Sequence, residues 1–229
     1  MRSVVINLPN NKDRLEAFKT AYRDDIFGEL EVWPAKSGNE VIVPDWWQKG
    51  RNRYALVQNI CDILESIDDD EDVVMWEDDC TFVHNFEPAY SLYIDEVPED
   101  ADLIYLGAQH ISMPKQVSDH VLKVKGAVTS HAIIYKNKCI KDFLDWYKEP
   151  RWGCMHMADQ RRAQGILLGK FIAYSPIVNL CGQAEGKSDL NFRYRGVRWY
   201  NGFKYFDLNN NVRDNGELVN PVSTITIEV

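Results

Sequence analysis

Apolar residues in the first half of the chain follow two alternating patterns. Some form short continuous runs, which are typical of strands buried on both faces. These runs are residues 4–8, 31–33, 73–76 and 103–106. Between them, apolar residues recur at helical spacing after the capping residues 10–14 and again over 52–67. Strands that alternate with helices predict an α/β fold with a mostly parallel central sheet flanked by helices.

The second half of the chain is less regular. Residues 131–135 predict one more strand, and residues 138–146 and 159–168 predict two helices. Beyond Pro176, short apolar runs and turn residues predict an irregular C-terminal region. Neither a repeat nor a linker interrupts the sequence, so we expect residues 1–229 to form a single domain.

Three consecutive acidic residues follow one of the buried runs. Glu77, Asp78 and Asp79 come directly after the predicted strand 73–76. In open α/β sheets, ligands bind at the carboxyl ends of the strands. Carboxylates crowded there repel one another unless a cation lies between them, and Mg²⁺ or Mn²⁺ prefers oxygen ligands. The sequence therefore predicts a metal site at this position, and solvated acids in a plain turn are the alternative.

Composition narrows the classes of function. The formal net charge of −9 argues against sequence-independent binding of nucleic acid, which needs many cationic contacts. The apolar runs are only strand-sized and the chain enters residues 4–8 directly, which predicts neither a membrane span nor a secretory signal. The five cysteines are odd in number and widely spaced, which favours reduced thiols and a cytoplasmic location.

Short blocks of the sequence occur in a distinctive order. They are Val5-Ile6-Asn7-Leu8 with Asp13-Arg14, Met75-Trp76-Glu77-Asp78-Asp79, Ile104-Tyr105-Leu106-Gly107, residues 126–134, Asp159, Pro176-Ile177-Val178 and Ser188-Asp189. In order and spacing they resemble glycosyltransferase family 25, the lipopolysaccharide and collagen galactosyltransferase type, over most of residues 3–190. The resemblance implies a GT-A fold, a nucleotide-sugar donor with UDP as the expected nucleotide, and a divalent metal held by an Asp-x-Asp-like motif.

One segment departs from the family pattern. The family opens the helix before the acidic motif with Gly-Cys-x-x-Ser-His, whereas residues 50–55 of this chain read Gly-Arg-Asn-Arg-Tyr-Ala. A divergent viral member of the family fits such a departure. The resemblance does not identify the sugar.

Seven residues are candidates for holding the donor. They are Asn7, Leu8, Arg14, Ala35, Lys36, Arg51 and Lys187. Arg14 would be a counter-charge near the nucleotide, or else a surface ion-pair residue. Arg51 would face the diphosphate, because guanidinium suits phosphate oxygens, or else be a plain surface residue. Lys187 lies in the glycine-bearing segment 182–189, whose composition predicts a mobile cover over the leaving diphosphate.

The remaining candidates concern proton transfer and the metal. An inverting sugar transfer needs a carboxylate that takes the proton of the acceptor hydroxyl, and Asp159 is the candidate. An N-cap aspartate is the equally simple alternative for Asp159. His156 is a candidate further metal ligand, and His131 is either a core or a donor-site residue.

The function that these features favour is metal-dependent sugar transfer from a nucleoside-diphosphate sugar to a glycan or glycoconjugate acceptor. A nucleotidyltransferase shares an acidic metal site at a strand end, but it usually has a glycine-rich loop after the first strand. Residues 8–12 here contain no glycine, which disfavours that class. A non-catalytic module that binds nucleotide sugars is the third possibility, and the retained acidic residues argue against it.

Overall fold

The computed structural model describes residues 1–68, 70–149 and 157–186, together with the backbone of Lys187 and of three short strands beyond it. The strands, in chain order, are Arg2–Asn7 (β1), Leu30–Pro34 (β2), Val73–Glu77 (β3), Cys80–Phe82 (β4), Leu103–Tyr105 (β5), Gln109–His110 (β6), Lys115–Gln116 (β7), Val121–Lys123 (β8), Ala127–Val128 (β9), Ala132–Tyr135 (β10), Ala173–Pro176 (β11), Cys181–Gln183 (β12), Gly186–Lys187 (β13), Tyr194–Arg195 (β14), Lys204–Phe206 (β15) and Val212–Asp214 (β16). The helices are Lys12–Ala21 (α1), Asp24–Phe27 (α2), Arg51–Glu65 (α3), Phe86–Glu96 (α4), Asn137–Lys148 (α5) and Ala158–Leu167 (α6).

Eight of these strands form one sheet in the order β2-β1-β3-β10-β5-β11-β8-β7. Strand β1 pairs in parallel with β2 and β3, and β5 pairs in parallel with β11. Strand β10 is antiparallel to both β3 and β5, and β8 is antiparallel to both β11 and β7. Six of the eight strands therefore point the same way, and their carboxyl ends share one edge of the sheet.

Side chains alternate between the two faces of the sheet, as the strand period of two requires. Val4, Met75 and Ile133 belong to a core that also contains apolar residues of α3, α5 and α6. Val5 and Trp76 belong to a second core, on the other face, that contains apolar residues of α1, α2 and α4. The sheet is therefore the middle layer between two helical layers.

These observations confirm the predicted α/β class, with a mostly parallel central sheet flanked by helices. The predicted strands of the first half are present as β1, β2, β3 and β5, and the predicted helices correspond to α1, α3, α5 and α6. Helices α2 and α4 and the short strand β4 were not predicted. No helix among the described residues is long and apolar enough to cross a membrane.

Candidate functional site

The acidic residues Glu77, Asp78 and Asp79 lie where β3 ends, at the edge of the sheet that carries the carboxyl ends of its parallel strands. Strand β10 begins beside this point, because Ala132 pairs with Trp76. The backbone amide of Glu77 donates a hydrogen bond to the carbonyl of the residue before that strand, at 3.0 Å. The triplet thus lies at the strand end that the sequence indicated.

The carboxylate of Asp78 is bound by side chains of β1 and α1. The side chain of Asp78 is only 6% exposed. The amide Nδ2 of Asn7, which is the last residue of β1, donates to Oδ2 of Asp78 at 2.7 Å. The guanidinium of Arg14, on α1, forms an ion pair with Oδ1 of Asp78. Both carboxylate oxygens of Asp78 are engaged with the protein, so this residue supports the site from within.

Asp79 is the more accessible acid, with 27% of its side chain exposed. Nε2 of Gln183, on β12, lies 3.3 Å from each carboxylate oxygen of Asp79 and 3.3 Å from Oε2 of Glu77. The amide of Ala184 also donates to the backbone carbonyl of Asp79 at 2.7 Å. One side-chain nitrogen therefore brings the carboxylates of Glu77 and Asp79 to a common position.

The site carries an excess of negative charge. Burial and the charges of Asp79 and Asp78 raise the pKa of Glu77 to about 8, and the charge of Asp159 acts in the same direction. The guanidinium of Arg162 lowers the pKa of Glu77, but its effect is smaller than that of burial, of Asp79 or of Asp78. A carboxyl group whose charged form is this unfavourable would be stabilised as a carboxylate by a nearby cation.

The carboxylates fit a hard divalent cation that also binds phosphate. No three His, Cys, Asp or Glu side chains converge into a ready metal site within the described parts of the chain. However, Mg²⁺ is usually held by only one or two carboxylates, with waters and substrate phosphates as the other ligands. Asp79 and Glu77, which converge on Gln183, can supply those two carboxylates. His156, the predicted further ligand, lies outside the described residues.

Residues that follow β2 reach the same edge of the sheet. The amide of Ala35 donates to the carbonyl of Asn7 at 2.9 Å, which joins two of the candidate donor-binding residues at the end of β1. The buried side chain of Asn59, on α3, accepts from the amide of Lys36 at 2.9 Å and donates to its carbonyl at 3.0 Å. The ammonium of Lys36 contacts Asp62 at 2.5 Å. The Ala35–Lys36 backbone is therefore fixed close to Asn7.

Arg51 is the first residue of α3, and Trp47 lies in the loop that precedes this helix. The guanidinium of Arg51 donates to the carbonyls of Gly38 at 2.8 Å and Val41 at 3.1 Å. Trp47 is buried in the core and donates to the carbonyl of Gly50 at 2.9 Å. In this arrangement Arg51 stabilises the loop that precedes α3.

The last two candidate donor-binding residues are Leu8, after β1, and Lys187, in β13. The carbonyl of Leu8 accepts from the amide of Asn11 at 2.8 Å, so this part of the turn after β1 is internally bonded. Lys187 belongs by its backbone to β13, which pairs with β14, and its side chain lies outside the described residues. The predicted cover over the diphosphate therefore stays a prediction.

Asp159 lies in the first turn of α6, close to the triplet. Met157 is the N-cap residue of this helix, so the alternative that Asp159 caps the helix is wrong. One carboxylate oxygen of Asp159 accepts from the amide of Gln160 at 2.8 Å. Because its charge contributes to the raised pKa of Glu77, Asp159 belongs to the same electrostatic neighbourhood.

His131 and Gly107 join the sheet to β12. His131 is fully buried, and its Nε2–H donates to the carbonyl of Cys181 at 3.2 Å. Burial lowers the pKa of His131 to about 4, so the imidazole is neutral. A Cβ on Gly107 would come within 2.1 Å of the same carbonyl and 2.6 Å of the imidazole. His131 is therefore a core residue, and only glycine fits at position 107.

Sequence reasoning assigned no role to Gln183, Asn59 or Arg162. Gln183 is the first polar side chain of the segment 182–189, where the lysine carried the stronger signal. Asn59 is a polar residue in an apolar helical pattern, which is a usable signal for a buried hydrogen-bonding group. Arg162 stands in a run of polar residues and resembles a surface arginine in the sequence alone.

No family model matches this chain. The chain is similar to a protein of Acanthamoeba polyphaga mimivirus described as procollagen lysyl hydroxylase and glycosyltransferase. The two are 23% identical over 173 residues, which is 63% of this chain and 19% of the relative. The chain thus spans about a fifth of the length of that relative.

Solved structures with some likeness to this fold include three glycosyltransferases. One, involved in glycosylation of the major capsid of PBCV-1, has a TM-score of 0.44 at 10% identity and covers 77% of this chain and 82% of its own. Mouse xyloside xylosyltransferase 1 has a TM-score of 0.40 at 8% identity, with coverages of 73% and 68%. GlyE of Streptococcus pneumoniae has a TM-score of 0.39 at 9% identity, with coverages of 76% and 44%.

Proposed function

We propose that this protein is a metal-dependent glycosyltransferase of the family 25 type, with a GT-A fold. It would move a sugar from a nucleoside-diphosphate sugar to a hydroxyl of a glycan or glycoconjugate. The observation that carries the proposal is the acidic triplet at the end of β3, in which Asp78 is fixed from behind while Asp79 and Glu77 converge on one position. The mimivirus relative, which is described as a procollagen lysyl hydroxylase and glycosyltransferase, supports the same class.

The metal ligands that we propose are Asp79 and Glu77, with His156 as a further candidate. Asp78 stabilises the turn that carries them, because Asn7 and Arg14 hold both of its oxygens. When bound, Mg²⁺ or Mn²⁺ supplies positive charge that stabilises the departing diphosphate. Arg14, whose guanidinium also lies 3.5 Å from Asp79, adds a fixed positive charge to the same part of the site.

The nucleotide would bind across the ends of β1 and β2, and UDP is the first nucleotide to test. Support comes from the hydrogen bond between Ala35 and Asn7 and from the Asn59 clamp on Lys36, which preform this edge before any ligand arrives. We propose that the backbone at Asn7–Leu8 and Ala35–Lys36 contacts the nucleoside. Lys187 is the proposed contact for the diphosphate, whereas Arg51 would support the site by bracing the loop that precedes α3.

Asp159 is the proposed base that takes the proton of the acceptor hydroxyl. Support comes from its position in the first turn of α6, where its charge is felt by Glu77. The carboxylate of Asp159 would accept the hydroxyl proton of the acceptor as the new glycosidic bond forms and the bond between the sugar and the diphosphate breaks.

Donor turnover with and without the metal tests this function. The wild-type protein should release UDP from a UDP-sugar in the presence of Mn²⁺, and chelation should abolish the release. Asp79→Asn should remove the metal-dependent turnover, whereas Asp70→Asn, in the exposed acidic turn, is the matched control and should keep it. Full turnover by Asp79→Asn would refute the metal site.

The same assay separates the other function classes. Binding of UDP-sugar without turnover, at any acceptor tried, would indicate the non-catalytic module. Release of pyrophosphate from a nucleoside triphosphate and a sugar phosphate would indicate the nucleotidyltransferase.

Asp159→Asn tests the proposed base. General-base catalysis is typically worth about 10² to 10⁴ in rate, so transfer should fall by that factor while metal and donor still bind. Asp142→Asn, an exposed aspartate on α5, is the matched control. Transfer with retention of the anomeric configuration would exclude this role for Asp159.

A further inference from the structure

Arg162 is fully buried on α6, and its hydrogen bonds within the described residues all go to neutral groups. Its Nε donates to the hydroxyl of Tyr105 at 2.9 Å, and Nη1 donates to the hydroxyl of Tyr135 at 3.4 Å. Nη2 donates to Oγ of Ser130 at 2.8 Å and also to the carbonyl of Thr129. Among the described residues, no carboxylate forms an ion pair with this guanidinium, in contrast to the neighbouring Arg161, which pairs with Glu149.

A buried guanidinium without a carboxylate partner is costly for stability. The phenols do not offset its charge, because burial raises the pKa of Tyr135 to about 12 and also raises the pKa of Tyr105. The carboxylates that feel the charge of Arg162 include Glu77, in the candidate site. Because the buried guanidinium of Arg162 lowers stability and its charge acts on the acidic triplet, Arg162 is a candidate for a functional role.

The loop that Arg162 holds has an unusual backbone. Thr129 has φ = 93°, in the left-handed region that a β-branched residue rarely adopts. Strained residues of this kind persist only where the surrounding contacts hold them in place, and they cluster at functional sites. Here the holding contacts are the bond from Arg162 to the carbonyl of Thr129 and the bond from Oγ1 of Thr129 to the carbonyl of Gly107, at 3.4 Å.

The 129–131 loop lies directly beside the acidic triplet. It connects β9 to β10, and the carbonyl of its last residue, His131, accepts from the amide of Glu77 at 3.0 Å. Ser130 is only partly buried. Because Arg162 donates to Oγ of Ser130, the hydroxyl proton of Ser130 can be donated to another acceptor.

We propose that Ser130 reads the sugar of the donor through a hydrogen bond to one of its oxygens, and that Arg162 is the positioning residue that holds Ser130 for this contact. This inference rests on the proposed function, because it assigns the sugar-recognising part of the same site. Arg162 does not touch the substrate. It fixes the strained 129–131 loop and, by donating to Oγ of Ser130, leaves the hydroxyl proton of Ser130 available for donation.

The first test is a comparison of sugar recognition with nucleotide recognition. In Ser130→Ala the KM for a UDP-sugar should rise about 3- to 10-fold, the worth of one neutral hydrogen bond, while the inhibition constant of UDP alone stays unchanged. Ser130→Thr keeps the hydroxyl and should recover most of the loss. Equal KM values for Ser130→Ala and the wild type would overturn the role of Ser130.

The second test compares two adjacent buried arginines. Arg162→Lys keeps the charge but loses the planar fork, so kcat/KM for the UDP-sugar should fall by about 10²-fold through misplacement of the loop. Arg161→Lys is the matched control, since Arg161 stacks on Trp146 at 3.3 Å from the ring centroid and lies in the ion pair with Glu149. It should lose stability but keep its kinetic constants.

A measurement independent of activity separates this inference from the proposed function. Amide hydrogen exchange at residues 129–131 should be faster in Arg162→Lys than in the wild type and in Arg161→Lys. If the wild type turns over no nucleotide sugar, the proposed function and the sugar contact of Ser130 both fail, and the exchange rates alone decide whether Arg162 positions the loop. If the wild type is active and the two arginine variants match in kinetics and exchange, the positioning role is overturned.

Discussion

Three adjacent acids in this chain differ because of the residues that reach them from elsewhere. Asp78 is bonded by Asn7 and Arg14 and is almost fully buried. Asp79 is more open and shares the amide of Gln183 with Glu77. The pKa of Glu77 is raised to about 8 by burial and by the charges of its two neighbours. Of three neighbouring carboxylates, one therefore supports the site and the other two are available to a ligand.

The raised pKa of Glu77 makes stability depend on pH. The folded state keeps a proton on Glu77 up to about pH 8, whereas the ordinary value is 4.5. The folded state therefore binds more protons between these values, and stability falls as the pH rises through that window. Glu77→Gln should not lose stability in this way as the pH rises. By pH 8 its unfolding free energy should therefore exceed that of the wild type by on the order of 1–3 kcal/mol.

Urea unfolding at several pH values, without divalent metal, measures this difference. Glu99→Gln, an exposed acid distant in sequence from the triplet, is the control and should show the wild-type dependence. Added Mn²⁺ should reduce the pH dependence of the wild type, because a bound cation favours the carboxylate. A constant difference between Glu77→Gln and the wild type from pH 5 to 8 would contradict the account.

At the residue scale, the sequence indicated the part of the site that lies close to strand ends. Asn7, Asp78 and Asp79 follow apolar runs that were long enough to be recognised, so their common edge could be predicted. Gln183, on β12, contacts the triplet, and Arg162, on α6, acts on Glu77 through its charge; tertiary structure alone places both of them there. No local pattern distinguishes such residues from ordinary polar residues.

At the element scale, the position of β12 depends on Gly107. Strand β12 carries Gln183 to the triplet, and its Cys181 carbonyl lies where a Cβ of residue 107 would be, at 2.1 Å. Gly107→Ala must displace this strand, and overpacking of this kind typically costs about 1–3 kcal/mol. We therefore expect a lower unfolding free energy together with a loss of Mn²⁺ affinity, measured by calorimetry.

Gly186→Ala is the matched control for this prediction. A Cβ at Gly186 meets no heavy atom of the described residues within 4 Å, and Gly186 lies only three positions beyond β12. It should keep both stability and metal affinity. If Gly107→Ala is less stable but binds Mn²⁺ as tightly as the wild type, the carboxylates do not need β12 in its place to bind the ion.

Elements that were not predicted are short or have mixed patterns. Helix α4 contains Pro88 at its third position, which suggests a break in a sequence but is compatible with the first turn of a helix. Helix α2 has four residues and β4 has three, which is too few for a periodicity to be visible. Their positions are set by packing on the sheet and on β12.

At the scale of the whole molecule, one sheet separates two apolar cores. Phe143 belongs to the core with α3, α5 and α6, and Phe18 belongs to the core with α1, α2 and α4. Because both cores share the same strands, we expect them to unfold together. Phe18→Ala and Phe143→Ala should each lower the unfolding free energy by about 3–5 kcal/mol and shift the same single transition.

Urea unfolding followed in parallel by tryptophan fluorescence and far-ultraviolet circular dichroism provides the measurement. Coincident curves for both variants would support the single domain that the sequence predicts. Two separated transitions, with each variant shifting only one of them, would show that the two layers are independent folding units.

The contacts that complete the acidic site join residues far apart along the chain. Asn7 meets Asp78 across 71 positions, and Gln183 meets Asp79 across 104. Long-range contacts of this kind form late, because the intervening chain must be ordered first. During synthesis, which proceeds from the N-terminus, the triplet emerges long before the strand that draws two of its carboxylates together. We therefore expect a nascent chain to acquire its metal affinity only after residue 183 has left the ribosome, as one of the last steps of folding.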